Sequence, residues 1–302
     1  MIITLTLNPA FDKTIEVKSL KKGDLNKIDK ENIDIGGKGI NVSKVFDALG
    51  IPNISIIFAG EKNIKEFESK LKKVINNYEI ILNKDVHTRE NIKIFDKKTQ
   101  KITELNSKGE IKNLNSLKQL LDKLDSTLQN GDILILSGST PNNCPKDIYS
   151  KIIKKAKEKN VYVVLDTSGE NLEYGLKASP NLIKPNIKEL EEIEKNSKND
   201  LNNMLNSNIN ILLSNGENGF NYISKTLKLK IEPFKLNVKS TVGAGDSLLA
   251  GFIYGIYNNK SLEESLIMAR ACASAKVVTE GTKNIKKEKI LAYIKEGGIN
   301  YE

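Results

Sequence analysis

A single histidine, His87, serves the whole chain, which excludes a His-rich metal site and the usual histidine relay of nucleophilic catalysis. The two cysteines, Cys144 and Cys272, stand far apart and without metal-ligand spacing, so neither a zinc knuckle nor a disulfide framework is expected, and free thiols in a reducing compartment are. Long apolar runs are missing as well. The longest, around Leu248–Tyr257, is interrupted by glycines and falls well short of a membrane span. The opening "MIITLTLNPA" has no basic stretch ahead of a long apolar segment, so it reads as a first strand and not as a signal peptide. A cytoplasmic protein with no membrane partner is therefore expected. No clustered basic tract accompanies the net charge of +9. Lysines run along the full length and interleave with acids, as in Lys62, Lys65, Glu66, Glu68 and Lys70, the pattern of solvated helix faces, and no nucleic-acid partner is expected. Arginine is nearly absent: of 47 basic residues only Arg89 and Arg270 are arginine. An arginine kept in so lysine-biased a chain is a candidate for a geometric task that lysine cannot perform.

With 302 residues and 39% hydrophobic content the chain can build one large α/β domain or two smaller ones around a substantial core. The runs "IITLTL", "ISIIFAG", "DILILSG", "VYVVLD", "NLIKPN" and "INILLSNG" read as buried strands. Between them "KGINVSKVFDALG", "IKEFESKLKKVINN", "LNSLKQLLDKLDSTL" and "PKDIYSKIIKKAKEK" carry helical periodicity. Strand and helix in alternation predict an α/β fold with a mainly parallel central sheet flanked by helices, in which ligands lie beyond the carboxyl ends of the strands. Two stretches break the order. About 11–36 and 88–106 alternate apolar and polar residues with period two, which predicts a small protruding β-sheet with one wet face. Its apolar side must find cover, making it a candidate lid and a candidate homodimer contact. Gly36 and Gly37, where this sheet joins the first core helix, are candidate hinges. After "LLSNG" a hairpin and three helices complete the chain, without internal repeats or a low-complexity linker.

Two glycine-rich stretches carry the chemistry. In "STVGAGDSLLAGF" the small residues Gly243, Ala244 and Gly245 precede Asp246 and a strongly apolar helix. A helix start of this kind offers unpaired N–H groups and partial positive charge to a phosphate. Helix capping by Asp246 accounts for the acid alone, and leaves the flanking glycines and the apolar helix unexplained. In "DIGGKGINVSKVF" Lys38 and Asn41 lie one turn apart at a helix start. A lysine there opposes the helix dipole, so either it has an anionic partner or it is a solvated side chain beside a flexible hinge. The spacing is not that of a Walker P-loop.

These two stretches resemble the paired signatures of the ribokinase/PfkB family of carbohydrate kinases, and "LTLNPAFDKT", "TRENIKI", "LSGSTP", "LDTSG", "IKPNIKELEE" and "LLSNGENG" follow in the family's order. The resemblance covers essentially the whole chain, as one kinase domain over residues 1–302, and is strongest to the phosphosugar branch. It implies a ribokinase-like fold and ATP- and Mg2+-dependent phosphorylation of fructose 1-phosphate to fructose 1,6-bisphosphate, with a monovalent cation as a further candidate. Tagatose 6-phosphate and fructose 6-phosphate are the rival substrates, and a non-catalytic sugar-phosphate sensor is the rival of another class. By the same resemblance Asp246 is the catalytic base, and Gly243, Ala244 and Gly245 form the anion hole. Asp12, Gly36, Gly37, Lys38 and Asn41 face the sugar. Arg89 grips the substrate's phosphate, as a planar guanidinium holds two phosphate oxygens, and Lys27 stands where relatives often carry arginine. Asn186 and Glu189 organise the metal and its waters, for which the alternative is a capping-box helix start. Lys184, Ser214, Gly216 and Gly219 lie on the nucleotide side. Arg270 matches no such motif and reads as structural.

Overall fold

The computed structural model describes residues 1–196, 201–281 and 283–295. The chain begins with β1 (Ile2–Thr6), β2 (Ala10–Val17), β3 (Lys30–Gly36), α1 (Lys38–Leu49), β4 (Asn53–Gly60), α2 (Ile64–Leu71) and β5 (Tyr78–Asn83). Then come β6 (Arg89–Asp96), β7 (Lys101–Asn106), α3 (Leu114–Thr127), β8 (Ile133–Ser137), α4 (Ile148–Glu158), β9 (Tyr162–Asp166), α5 (Gly169–Leu176) and β10 (Leu182–Ile183). The last third holds α6 (Ile187–Asn196), α7 (Leu201–Asn206), β11 (Asn210–Ser214), β12 (Phe220–Ile223), β13 (Lys228–Ile231), α8 (Ala244–Tyr257), α9 (Leu262–Val277) and α10 (Lys287–Lys295).

Nine strands form the main sheet in the order β13-β12-β11-β10-β9-β8-β1-β4-β5. Every pairing from β11 to β5 is parallel, and β12 and β13 close one edge as an antiparallel hairpin. The central strands are mostly apolar because both faces are covered. Leu134 and Leu136 of β8 and Val163 and Leu165 of β9 join one core with α3 and α4, while Ile133, Ile135 and Val164 join the opposite core with α1, α8 and α9. β5 is a strand that the apolar patterning does not single out. The helical pattern "IKEFESKLKKVINN" stops as a helix at Leu71, and backbone bonds from Val74 and Ile75 to the Leu71 carbonyl turn the chain into that edge strand. No helix among the described residues is long and apolar enough to cross a membrane.

The stretches expected to form a lid build a separate four-stranded sheet, β3-β2-β6-β7. β2 pairs antiparallel with β3 and parallel with β6. Its root is buried through Phe11 and Ile35, with Phe67 of α2 edge-on to Phe11, and its edge strand β7 is exposed at every residue.

α8 is apolar because it is buried on most sides, between α1 and α9. Gly251 sets the distance to α9: a β-carbon there would stand 2.8 Å from Ala269 Cα and 2.5 Å from the Met268 carbonyl. Both are backbone atoms, so the helices would have to separate. Gly251→Ala is expected to lower unfolding free energy by about 1–3 kcal/mol, read as a lower denaturation midpoint in urea; an unchanged midpoint would show that the contact tolerates a methyl group.

Candidate active site

The parallel register brings the site together at the carboxyl ends of the central strands. β8 pairs Ser137 with Asp166, and β9 pairs Leu165 with Ile183, so Lys184, the next residue, stands beside Asp166. The Asp166 carboxylate is completely buried, and its Oδ1 accepts from Lys38 Nζ at 2.9 Å and Lys184 Nζ at 3.2 Å. Asp166 is thus the anionic partner of the lysine that opens α1. Burial alone would raise the Asp166 carboxyl, but Lys184 and then Lys38 hold it below its ordinary value. Burial alone would lower the Lys38 ammonium, but Asp166 foremost, then Asp246, carry it above its ordinary value. Lys184 does not extend outward toward a nucleotide: it is buried beneath the α8 turn, its Nζ 3.2 Å from where a Gly245 β-carbon would lie.

Asp246 occupies the first turn of α8 and is buried. Gly243 caps the helix in the left-handed region at φ 76°, a conformation that favours glycine. The Ala244 N–H closes this turn onto the Thr241 carbonyl and the Ser247 N–H returns to Gly243, so the amides of Gly245 and Asp246 are those left without an intrahelical acceptor. Asn41 Nδ2 donates to Asp246 Oδ2 at 2.9 Å. Burial, then the charge of Asp166, raises the Asp246 carboxyl above its ordinary value, against the pull of Lys38, the Asn41 hydrogen bond and Lys184.

Between this corner and the lid lies a polar cleft of about 220 Å3 whose wall includes Thr6, Lys38, Arg89, Ser137, Ser139 and Thr167. Thr6 Oγ1 and Ser137 Oγ in its wall, and Asp166 Oδ2 behind it, are buried without a hydrogen-bond partner among the described residues, which is uncommon in a native interior unless water or ligand completes them. Arg89, at the start of β6, reaches the cleft already engaged: Nε and Nη2 both donate to the Asn8 carbonyl at 3.2 Å, and Nη1 to Asn91 Oδ1 at 2.9 Å and the Ser107 carbonyl at 2.8 Å. A two-oxygen grip on a phosphate therefore requires exchange of one of these carbonyls. Asn91 also donates to Asp12 Oδ1 at 2.9 Å, and Gly36 closes β3 directly against that carboxylate. Gly37 caps α1 and lines the cleft. Lys27 sits apart from this group, exposed on the β2–β3 connection.

Across the sheet ends, Asn186 and Glu189 bond each other reciprocally: the Asn186 N–H donates to Glu189 Oε2 at 2.8 Å and the Glu189 N–H to Asn186 Oδ1 at 2.9 Å. The capping geometry and the metal reading thus fall on the same pair. Ser214 lies alongside through a bridge to Asn186 and donates to the Pro185 carbonyl at 3.2 Å; Gly216 and Gly219 turn the chain directly after it. No group of three or more His, Cys, Asp or Glu among the described residues is arranged as a metal cage. The donor set fits Mg2+ brought in on nucleotide phosphates, since Mg2+ keeps several waters and takes only one or two protein carboxylates; Glu189 is the residue that would meet it.

The sequence profile described as "pfkB family carbohydrate kinase" matches residues 5–289. The chain belongs to this family of carbohydrate kinases. A protein named 1-phosphofructokinase from Borreliella burgdorferi is 36% identical over 287 residues, covering 91% of each chain. One of the same name from Haemophilus influenzae is 32% identical over 285 residues, covering 90% of each. Among solved structures, a crystal structure described as a putative phosphofructokinase from Staphylococcus aureus has a TM-score of 0.80 at 29% identity, covering 98% of this chain and 97% of that one. Phosphofructokinase-2 from Escherichia coli in complex with potassium has a TM-score of 0.88 at 24% identity, covering 98% of each chain.

Several residues of this corner and cleft carry no local signal strong enough to single them out. Asp166 ends an apolar strand as many surface acids do, and Thr6, Asn8, Asn91, Ser137 and Ser139 are scattered polar residues that only the register collects. The Asn41 hydrogen bond favours the charged form of Asp246, so its removal lets that carboxyl rise further. Asn41→Ala is accordingly expected to move the acid limb of the kcat/KM profile to higher pH and to lower kcat about tenfold. An acid limb at the wild-type position would show that this hydrogen bond does not control the group titrating in that limb.

Proposed function

We propose that this kinase transfers the γ-phosphoryl group of ATP to the free primary hydroxyl of fructose 1-phosphate, giving fructose 1,6-bisphosphate and ADP. The observation that carries the reading is the buried Asp246 carboxylate at the amide-rich start of α8, close enough to Lys38 to act on its charge, with Lys38 in turn lining a polar cleft that reaches Arg89. The relatives named 1-phosphofructokinase support the choice of sugar. Phosphoryl transfer is mostly positioning and charge neutralisation, and each of these tasks has a residue here. Asp246 takes the proton of the acceptor hydroxyl, its raised pKa making it a stronger base than an exposed aspartate. The amides of Gly245 and Asp246 face the migrating phosphoryl group, and Lys38 adds positive charge at the same corner. Asp12 holds a sugar hydroxyl from the lid, and Arg89 takes the phosphate the sugar already carries. Asn186, Ser214, Gly216 and Gly219 form the nucleotide side, where Mg2+ held by Glu189 would supply charge neutralisation, while Lys184, buried against Asp166, adds positive charge beneath the α8 turn. A sensor would have no use for a buried base beside open amides, and the free thiols suit a cytoplasmic enzyme.

Coupled assays with fructose 1-phosphate, fructose 6-phosphate and tagatose 6-phosphate are expected to give the highest kcat/KM for the first; a higher value for either 6-phosphate would reassign the substrate. Asp246→Asn is expected to lower kcat by about 10²–10⁴-fold or more while ATP still binds, and near-normal turnover in that variant would remove the proposed base.

We also propose that the whole chain acts as one kinase domain whose lids pair in a homodimer. Leu25, Ile28, Ile102 and Leu105, all in the lid, are among the most exposed large apolar side chains described, and the edge of β7 is open. Sedimentation of Leu105→Glu is expected to show a weakened dimer; a wild-type protein that sediments as a monomer would rule the contact out.

A further inference from the structure

Lys276, in the last turn of α9, is buried, yet no carboxylate among the described residues lies within ion-pair distance. Its Nζ instead donates to two backbone carbonyls of the following loop, Gly281 at 3.0 Å and Lys283 at 2.8 Å. Its stem lies against the anion turn: a β-carbon on Gly243 would stand 3.2 Å from Lys276 Cε. The neighbouring Val277 carbonyl accepts from the N–H groups of Lys239 at 2.7 Å and Ser240 at 3.1 Å, so the end of α9 is tied to the segment that enters the turn. Lys276 thus joins the turn, the helix and the loop at one buried positive charge.

A univalent charge held by main-chain carbonyls is the coordination chemistry of a desolvated monovalent metal ion. The space alongside would not welcome such an ion. It is a cavity of about 20 Å3, lined by Asn41, Lys44, Val242, Gly243, Lys276 and Lys283 among others, with room for roughly one water and with three lysines in its wall. Burial foremost, then Lys44, lowers Lys276 to about 8, with the charges of Asp246 and Asp34 opposing.

We propose that Lys276 supplies from within the chain the fixed positive charge that a monovalent cation would otherwise provide behind the Gly243–Asp246 turn, so that this kinase needs no such ion. The proposal rests on the phosphoryl-transfer reading of that turn. Lys276 is a positioning residue: it touches neither sugar nor nucleotide, and it holds the turn and its charge in place.

The test compares potassium chloride with tetramethylammonium chloride at equal ionic strength. In the absence of sugar and nucleotide, the wild-type melting temperature is expected to be the same in both salts, and wild-type turnover likewise. Lys276→Met in tetramethylammonium is expected to lose about 10–100-fold in kcat, with the phosphosugar KM little changed. Potassium is expected to restore part of that loss and to raise the variant's melting temperature, as a ligand of the folded state does. Lys276→Arg, which keeps the charge, is expected to remain active without potassium. A wild type that melts higher and turns over faster in potassium would overturn the proposal, as would a Lys276→Met enzyme with full kcat in tetramethylammonium. Should Lys276→Met fail to fold, the wild-type comparison and Lys276→Arg still decide. A wild type that transfers phosphate to none of the three sugars would instead refute the proposed function, while its melting in the two salts would still report on the buried charge.

Discussion

One buried carboxylate orders the site. Asp166 carries two ammonium groups on a single oxygen, and they come from opposite directions: Lys38 from the start of α1 and Lys184 from just beyond β10. Taking these charges out of water is costly unless each is compensated, so the three positions are locked together more firmly than packing alone would lock them. The consequence runs along α1. Lys38 fixes its first turn, Asn41 lies one turn on, and Asn41 donates to Asp246. The orientation of the proposed base, 205 residues beyond Asn41 in sequence, is therefore set through two hydrogen-bonded steps from the end of β9. The remaining Asp166 oxygen has no partner among the described residues, which leaves the cluster open on the side where a ligand's donors or waters would complete it.

The lid contributes its residues as a unit. β2 and β6 run parallel with Ala10 opposite Arg89 and Asp12 opposite Asn91, and the bonds from Arg89 to Asn91 and from Asn91 to Asp12 follow from that register. Asn91 accepts with its oxygen and donates with its nitrogen, so its amide has one orientation that satisfies both neighbours. Any motion of the sheet about its junction with α1 would carry the arginine and the acid together. On the roles proposed for Arg89 and Asp12, phosphate and sugar would then be gripped in one closure, because these two side chains are already linked through Asn91.

Much of this architecture was legible in the sequence, for physical reasons. Strands buried on both faces show as unbroken apolar runs, and period-two stretches betray a sheet with one wet face, so β1, β4, β8, β9, β11 and the lid could be placed. The small-residue turn before Asp246 and the misplaced lysine at α1 marked the corner where α1, α8 and Asp166 meet. Three features were not legible. β5 follows a helix whose apolar periodicity outlasts the helix itself, and only the turn at Leu71 separates them. Asp166 differs from a solvated strand-end acid only through two lysines that are distant in sequence. Arg89 was expected to grip a phosphate, and its three acceptors here come from the chain itself, two of them main-chain carbonyls whose direction no residue identity encodes.

The scarcity of arginine shows how this chain divides its positive charges. Where a compact charge suffices, lysine is used, even inside: Lys38 and Lys184 meet a carboxylate, while Lys44 and Lys276 meet carbonyl oxygens. An ammonium is well suited to this, since its donors rotate toward whatever oxygens the fold presents. Where several acceptors must be met in one plane, only a guanidinium will serve, and Arg89 meets three at once. Arg270 uses the other property of that group, its flat face, which lies over the Phe234 ring at 4.3 Å while its edge reaches the Glu232 carbonyl at 3.5 Å. Both arginines thus stand where shape as well as charge is required, and the interior lysines stand where charge alone is. By that division, exchanging Lys276 for arginine should preserve what it supplies, whereas exchanging Arg89 for lysine should not.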